Sequence, residues 1–396
     1  MSKGYLPYGR QMIEDDDLAA VAAALRSDFL TTGPLVAQFE QAFAEKTGAA
    51  HAVACNSGTA ALHLAALATD LTAGQAAIVP AITFLATANA ARMTGAEVVF
   101  ADVDPESGLL TQETFAAALQ RADASGHTVR AALPVHLNGQ LCDLAGLAVA
   151  AEPRDVALIE DACHALGVPA IGAAQHSVAA IFSTHPVKAI ATGEGGIVTT
   201  RDADMAARMR RLRSHGMTHD AASFANCELG FTGPDSNSWY YEMQEIGWNY
   251  RIPDVLCALG ISQLEKLERF HARRRQIAAA YDRLLAPLAP AVRPVSAPTQ
   301  RHGWHLYVVH IDFRALGTTR VQAMKALRDE GIGTQVHYIP LHLQPYYRHR
   351  YGEISLPGAE TYYERCLSIP MFPAMSDADV DRVAAALARI VQGGSA

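Results

Sequence analysis

The chain has 396 residues, half of them apolar, and its 40 Asp and Glu against 32 Lys and Arg give a formal net charge of -8 at pH 7. That is enough for a large domain and a smaller one without disulfide or metal staples. The acidic balance argues against nucleic acid as a partner, because phosphate binding needs clustered positive charge.

Six cysteines (Cys55, Cys142, Cys163, Cys227, Cys257, Cys366) are scattered with no CxxC pair. The first residues lack the apolar core of a signal peptide, and no apolar run approaches the roughly 20 residues that span a bilayer. A soluble, cytoplasmic protein with reduced thiols is expected, with no membrane partner and no metal site.

In chain order, "HAVACNSG" leads into "TAALHLAALAT" and "AAIVP" into "TFLATANAARM"; "EVVFADVD" and "RAALPVH" follow. Short Val/Ile runs alternating with Ala/Leu helical patterns predict an α/β domain whose mostly parallel central sheet is covered on both faces. The basic runs "RMRRLR" (208–213) and "HARRR" (271–275) read as solvated faces of amphipathic helices. Residues 215–250 are polar and aromatic, a stretch too long for a simple linker and of the kind that carries function. A long helix, a Pro-rich break near 288–298, the strand "LYVVHI", the helix "VQAMKALRDE" and the strand "GTQVHYI" follow. With a last helix from Asp377, capped by Ser376, they predict a smaller C-terminal α+β domain. The expected division is 13–250 for the large domain and 251–396 for the small one, with residues 1–12 packing near the active site.

Three segments carry chemistry. In "CNSGTAALHLAAL" a strand runs into Ser57, Gly58 and Thr59 at the start of a helix, which makes either a plain cap or a phosphate cradle of free N–H groups at a positive dipole end. In "ALIEDACHALG" a buried strand ends in Glu160 and Asp161, and a carboxylate there is costly unless it caps the next helix or meets a cation. A protonated pyridine nitrogen is such a cation. In "FSTHPVKAIATGEGG" Lys188 lies between two strands beside glycines that let a bulky group approach, as a nucleophilic lysine needs. Cradle, carboxylate and lysine follow one another in the order that a pyridoxal 5'-phosphate (PLP) site on one α/β domain requires. A nucleotide triphosphatase does not fit, for there is no GxxxxGK[ST] loop.

These residues resemble the motifs of the nucleotide-sugar aminotransferase family of fold-type I PLP enzymes, the DegT-type family. The likeness spans nearly the whole chain, through "LTTGPLVAQFE", "NSGTAALHLA", "PAITFLATANA", "PVHLNGQ", "IEDACHALG", "HPVKAIATGEGG", "GWNYRIPDVLCALG" and "HYIPLHLQPYY". It implies that Lys188 is the Schiff-base lysine and the acid/base of proton transfer, and that Asp161 pairs with the pyridine nitrogen. His164 would stand near the cofactor's phenolic oxygen, with Cys163 under the ring and Phe84 stacked on its other face. Gly58, Thr59 and Ser183 would bind the phosphate, and Asn249 would reach the phosphate of a second subunit's cofactor, so that a homodimer shares its active sites.

The opening segment and "WYYEMQEIGWNYR" resemble one subgroup in particular. It aminates C4 of a UDP-linked 4-keto-6-deoxy-N-acetylhexosamine with L-glutamate as donor, on the way to pseudaminic acid. By that likeness Tyr8, Asp28, Phe29, Leu30, Thr31, His185, Tyr338, Ile339 and Pro340 line the sugar-nucleotide pocket. Thr184 and Asn138 depart from the pattern, since many relatives carry aromatic residues there, and a smaller residue at 184 is expected to widen the pocket or re-aim His185. An aminotransferase for another nucleotide ketosugar (C3 or C4) is the nearest alternative, and a PLP-binding regulator without turnover is a further one. A related dehydratase branch carries histidine at the lysine position, so Lys188 favours amino transfer.

Overall fold

The computed structural model describes residues 4–295 and 301–393. Residues 296–298 of the expected Pro-rich break, and residues 1–3 of the N-terminal segment, lie outside the described residues. Seven strands form the central sheet: β1 (His51–Cys55), β2 (Gln75–Pro80), β3 (Glu97–Ala101), β4 (Thr128–Ala132), β5 (Ala157–Asp161), β6 (Ala179–Ser183) and β7 (Gly196–Thr200). Their spatial order is β1-β7-β6-β5-β4-β2-β3. Strands β2 to β6 pair in parallel, whereas β7 runs antiparallel to both β1 and β6. The strands are apolar almost throughout because helices cover both faces.

Successive side chains feed opposite cores, as the two-residue repeat of a strand requires. Val53, Ile181 and Val198 face one core, shared with helices α3 (Gly58–Ala68), α4 (Leu85–Met93) and α7 (Ala203–Leu212). Ala54, Phe182 and Ile197 face the other, against Phe39 and Phe43 of α2 (Pro34–Thr47). Helices α5 (Gln112–Ala124) and α6 (Leu144–Ala151) cover the remaining half around Phe115 and Leu147. The N-terminal helix α1 (Asp15–Leu25) is held by Asp17, whose buried carboxylate meets Lys266 Nζ at 2.7 Å.

The expected long helix is two helices, Asp254–Glu265 and Leu267–Leu285. The first packs with Cys257 and Leu264 in the core of the large domain, and the Asp254 carboxylate accepts from Gly33 N and Leu35 N at the start of α2. We propose the division 13–250 and 251–396, with this first helix reaching back across the boundary to pack on the large domain. The C-terminal sheet pairs Val292–Pro294, Tyr307–Ile311 and Cys366–Ile369 antiparallel. Helices Leu267–Leu285 and Asp377–Gly393 bury Ile277, Tyr281, Val383 and Leu387 against it. Ser376 receives the N–H of Asp379 on its hydroxyl, and Asp379 returns the bond to Ser376 N, a reciprocal cap.

"GTQVHYI" does not form the expected strand. Only Gln335 pairs with the sheet, exchanging two backbone bonds with Ser368; beyond it the chain leaves the sheet to place His337 and Tyr338 in a cavity. Two carboxylates of the large domain fasten the small one. Asp102 accepts from Gly358 N and Ala359 N at the start of helix Pro357–Arg365, and Glu106 pairs with Arg365 at 3.0 Å and with Arg293. The aromatic stretch 215–250 folds back as two short ladders, Met217–Thr218 with Glu242–Met243 and Phe231–Thr232 with Asp235–Ser236. It leaves Trp239, Met243 and Ile246 exposed.

Several histidines are buried, and burial pushes their imidazoles down, His63 and His310 to about 4 and His302 to about 3. Each therefore binds a proton more readily in the unfolded chain, whose histidines titrate near ~6.5. Between about pH 6.5 and pH 4 the unfolded state gains these protons and the folded state does not, so stability falls as pH falls. The denaturation midpoint in urea is expected to drop steadily from pH 7 to pH 4.5; a midpoint that rises over this range contradicts the assignment.

Candidate active site

At the end of β1 the chain turns into α3 through Ser57, whose hydroxyl accepts from Ala60 N at 3.1 Å. That serine is spent on the cap, while the N–H groups behind it face a cavity of about 620 Å³. Gly58 and Thr59 line the cavity beside Ser183 at the end of β6. A Cβ at Gly58 would sit 3.0 Å from the Ser183 Cβ, and one at Gly196 would sit 2.1 Å from Ser57 O. Glycine is required here so that β7 and the α3 turn can close on each other. A helix N-terminus with two hydroxyls beside it is a site for an anion such as phosphate.

Asp161 ends β5 and is buried, and the cavity reaches it. Its Oδ2 accepts from the Thr87 hydroxyl at 2.9 Å, and its Oδ1 from Cys163 N at 3.2 Å. Thr83 lies 2.8 Å behind Thr87, hydroxyl to hydroxyl. Among the described residues no basic side chain pairs with Asp161 within 4.0 Å. A buried carboxylate held in place with no cation in contact is a receptor for a cationic ligand group. The neighbouring Glu160 is committed elsewhere, to His136 Nε2 at 3.1 Å and Ser177 Oγ at 2.7 Å.

Lys188 lies on the connection between β6 and β7, where the antiparallel neighbours turn back within one sheet. The loop is closed at its base by Thr184 N to Gly195 O (3.0 Å) and Thr192 N to Thr184 O (2.8 Å). Thr184 is fully buried and touches Thr192, hydroxyl to hydroxyl at 2.5 Å; it faces this base and not the cavity. The expectation that it widens the pocket is thereby corrected: a smaller residue there bonds within the loop. Burial lowers the Lys188 ammonium below the ordinary lysine range, against the opposing pull of Cys163 and Asp161. The same burial pushes the Cys163 thiol well up, which keeps it uncharged.

The opposite wall comes from the N-terminal segment and the small domain. Tyr8 packs its ring 5.4 Å from His337, and Tyr338 sits with its hydroxyl 3.4 Å from His164 Nε2 and its ring 6.1 Å from Phe84. Burial raises the Tyr8 and Tyr338 hydroxyls and lowers His337 to about 3, so this wall is neutral at pH 7. His185 and Ile339 line the mouth.

The structure thus brings together Gly58, Thr59, Phe84, Asp161, Cys163, His164, Ser183, Lys188, His185, Tyr8, Tyr338 and Ile339 around one cavity. It does not bring in Asp28, Phe29, Leu30 and Thr31, which are exposed on the segment before α2, where Leu30 O accepts from Asp254 N. Pro340 is buried outside the cavity lining. Asn249 is exposed too, its carbonyl accepting from Asn56 Nδ2 at 3.3 Å beneath the α3 turn.

A family model described as the DegT/DnrJ/EryC1/StrS aminotransferase family matches residues 11–388. The chain belongs to this family. It is 38% identical, over 98% of each chain, to the spore coat polysaccharide biosynthesis protein SpsC of Bacillus subtilis (strain 168). Among solved structures it resembles Helicobacter pylori PseC, an aminotransferase involved in the biosynthesis of pseudoaminic acid (TM-score 0.86, 26% identity, 98% of this chain and 99% of that one). It also resembles DesI, solved in the presence of its TDP-sugar product (TM-score 0.84, 33% identity, 99% and 95%). The mostly parallel sheet with its covering helices is this aminotransferase fold, and the chain is a sugar aminotransferase.

For this DegT-family chain, sequence reasoning missed Thr83, Thr87, His305 and His337. Thr87 stands four residues after Thr83 inside the quoted "TFLATANA", a spacing that puts both on one side of a helix start. Nothing in an uncharged hydroxyl pair marks it before the fold sets Asp161 alongside. Thr87→Val removes the hydroxyl donor to Asp161 Oδ2. An order of ten-fold loss of turnover is expected, with Thr87→Ser restoring it and circular dichroism unchanged. Full activity of the valine variant would show that the Thr87 bond is idle.

Proposed function

We propose that this chain transfers the amino group of L-glutamate to C4 of a UDP-4-keto-6-deoxy-N-acetylhexosamine, with PLP as cofactor, giving UDP-4-amino-4,6-dideoxy-N-acetyl-β-L-altrosamine in pseudaminic acid biosynthesis. The observation that carries the cofactor is the buried Asp161 carboxylate with no cation in contact, in the same cavity as a lysine lowered by burial and a helix N-terminus cleared by Gly58. The donor set fits PLP group by group. Gly58, Thr59 and Ser183 would hold the phosphate, Asp161 would meet the pyridine nitrogen, Phe84 and Cys163 would flank the ring, and Lys188 would supply the amine that carries the cofactor. When bound, PLP supplies an electron sink for charge developing on the carbon beside the transferred nitrogen.

The chain's own residues do the rest. Lys188 Nζ, whose burial makes its neutral form accessible, takes the proton from the donor carbon and returns one to the acceptor carbon. Asp161, fixed by Thr87 and by Cys163 N, holds its carboxylate at the wall of the cavity. Tyr8, His337 and Tyr338 form an aromatic, uncharged wall of the kind that holds a sugar and excludes water. PseC, named for pseudoaminic acid, supports the C4 amination. The higher identity to SpsC favours a second reading, in which the acceptor is another nucleotide ketosugar.

We further propose a homodimer with shared sites. Phe29, Leu30, Phe84, Leu85, Trp239, Met243 and Ile246 are large apolar side chains left exposed on the single chain, and a partner surface would cover them. In a dimer, Asp28–Thr31 and Asn249 would serve the neighbour's cavity. A cytoplasmic location is part of the same proposal; among the described residues no helix is long and apolar enough to cross a membrane.

Two experiments test this. Lys188→Ala is expected to abolish the visible absorbance near ~420 nm that lysine-bound PLP gives, together with turnover; in the unchanged enzyme that band falls with L-glutamate and recovers with the UDP-ketosugar. A band that falls and never recovers overturns the acceptor but not the donor. Mixing Asn249→Ala with Lys188→Ala subunits is expected to restore activity to roughly a quarter of wild type, because half of the randomly formed dimers hold one intact site. No gain over the separate variants overturns the crossover.

A further inference from the structure

The loop after β4 contains a non-glycine residue in the left-handed region: Asn138, with φ 64° and ψ -8°. Asn tolerates that conformation better than most residues, and β-branched side chains tolerate it worst. Asn138 is fully buried, and its backbone is used in three directions. Its N–H points at His164 Nδ1 (3.2 Å), while its carbonyl accepts from His305 N (3.1 Å) and Leu306 N (3.2 Å) at the start of the small-domain strand. The side-chain amide meets the Tyr362 hydroxyl at 3.1 Å, in the helix that Asp102 caps.

A ring nitrogen that accepts from a backbone N–H carries no proton of its own. The single proton of a neutral His164 is then on Nε2, the nitrogen that faces Tyr338 and the cavity. Protonating Nδ1 would set two N–H donors against each other. The surroundings of His164 act in the same direction: burial, and then Lys188, disfavour a charged imidazole, and the His305 ring lies 4.3 Å away. Asp161 and Cys163 are on its own segment, and Tyr338 is uncharged at pH 7.

We propose that Asn138 is a positioning residue: its left-handed backbone fixes His164 as a neutral imidazole that presents an Nε2–H donor to whatever oxygen the cavity binds, and ties that donor to the small domain through His305, Leu306 and Tyr362. This rests on the reading above only in assigning the oxygen to the cofactor; the tautomer itself does not depend on it. Any residue that abandons the positive φ swings the N–H away from Nδ1, whatever its size or polarity.

The test reads the ring nitrogens directly, by long-range proton–nitrogen correlation spectra of the intact protein labelled at histidine, with the His164 signals identified by their absence from His164→Gln. Wild type and Asn138→Gly, which keeps the backbone geometry, are expected to show the Nε2-protonated form. Asn138→Val is expected to shift the ratio of the two tautomers by about ten-fold, the worth of roughly one hydrogen bond. Should the valine variant not fold, Asn138→Ala supplies the same comparison with a smaller backbone penalty. Identical His164 signals in the valine or alanine variant, or loss of the Nε2–H form in the glycine variant, would overturn the proposal. Because no turnover is read, a failure here is separate from a failure of the aminotransferase reading, which the absorbance experiment decides.

Discussion

A carboxylate buried in a protein interior has to be compensated, and around Asp161 the compensation in direct contact is incomplete. One hydroxyl and one backbone N–H hold its two oxygens in place, and no cation among the described residues pairs with it. The rest of the site is organised around that deficit. The carboxylate stands buried at the end of β5 and lines the cavity. A ligand that brings a positive ring nitrogen gains from the pairing, and one that does not has to bury an unsatisfied charge.

The antiparallel placement of β7 then decides where the lysine can be. A parallel successor to β6 would have required a crossover of a dozen or more residues. The antiparallel neighbour returns through residues 184–195 without crossing to the other end of the sheet, which keeps Lys188 at the same end as Asp161 and the α3 turn. Three chain segments, distant in sequence, meet at one edge of the cavity because the strand order sets β7 between β1 and β6.

Much of this was legible in the amino-acid sequence. The strand-to-helix turns at Ser57 and Phe84, the strand-end acid and the glycine-flanked lysine each have a local signature, since short-range geometry fixes them. The parts that were not legible depend on pairing at a distance. "GTQVHYI" has the alternation of a strand, yet only Gln335 finds a partner, because His337 bonds Ser368 Oγ at 2.8 Å and turns the chain into the cavity. Thr184, read as a pocket residue from its place beside the lysine, points the other way, since in a strand successive side chains alternate and Ser183 already faces the cavity. Thr87 and Asn138 act through partners 74 and 26 residues away, which no window of sequence displays.

The closure of the lysine loop has a further implication, for how such a scaffold changes over time. Its base is held by the backbone bonds between Thr184, Thr192 and Gly195 and by a hydroxyl pair, none of which uses the Lys188 side chain. The Lys188 side chain is therefore mechanically independent of what holds its loop shut. Natural proteins stay close to a stability threshold, so a site whose reactive group can be replaced at little folding cost is open to trial by mutation. Chemistry at this position can diverge while the architecture is inherited intact.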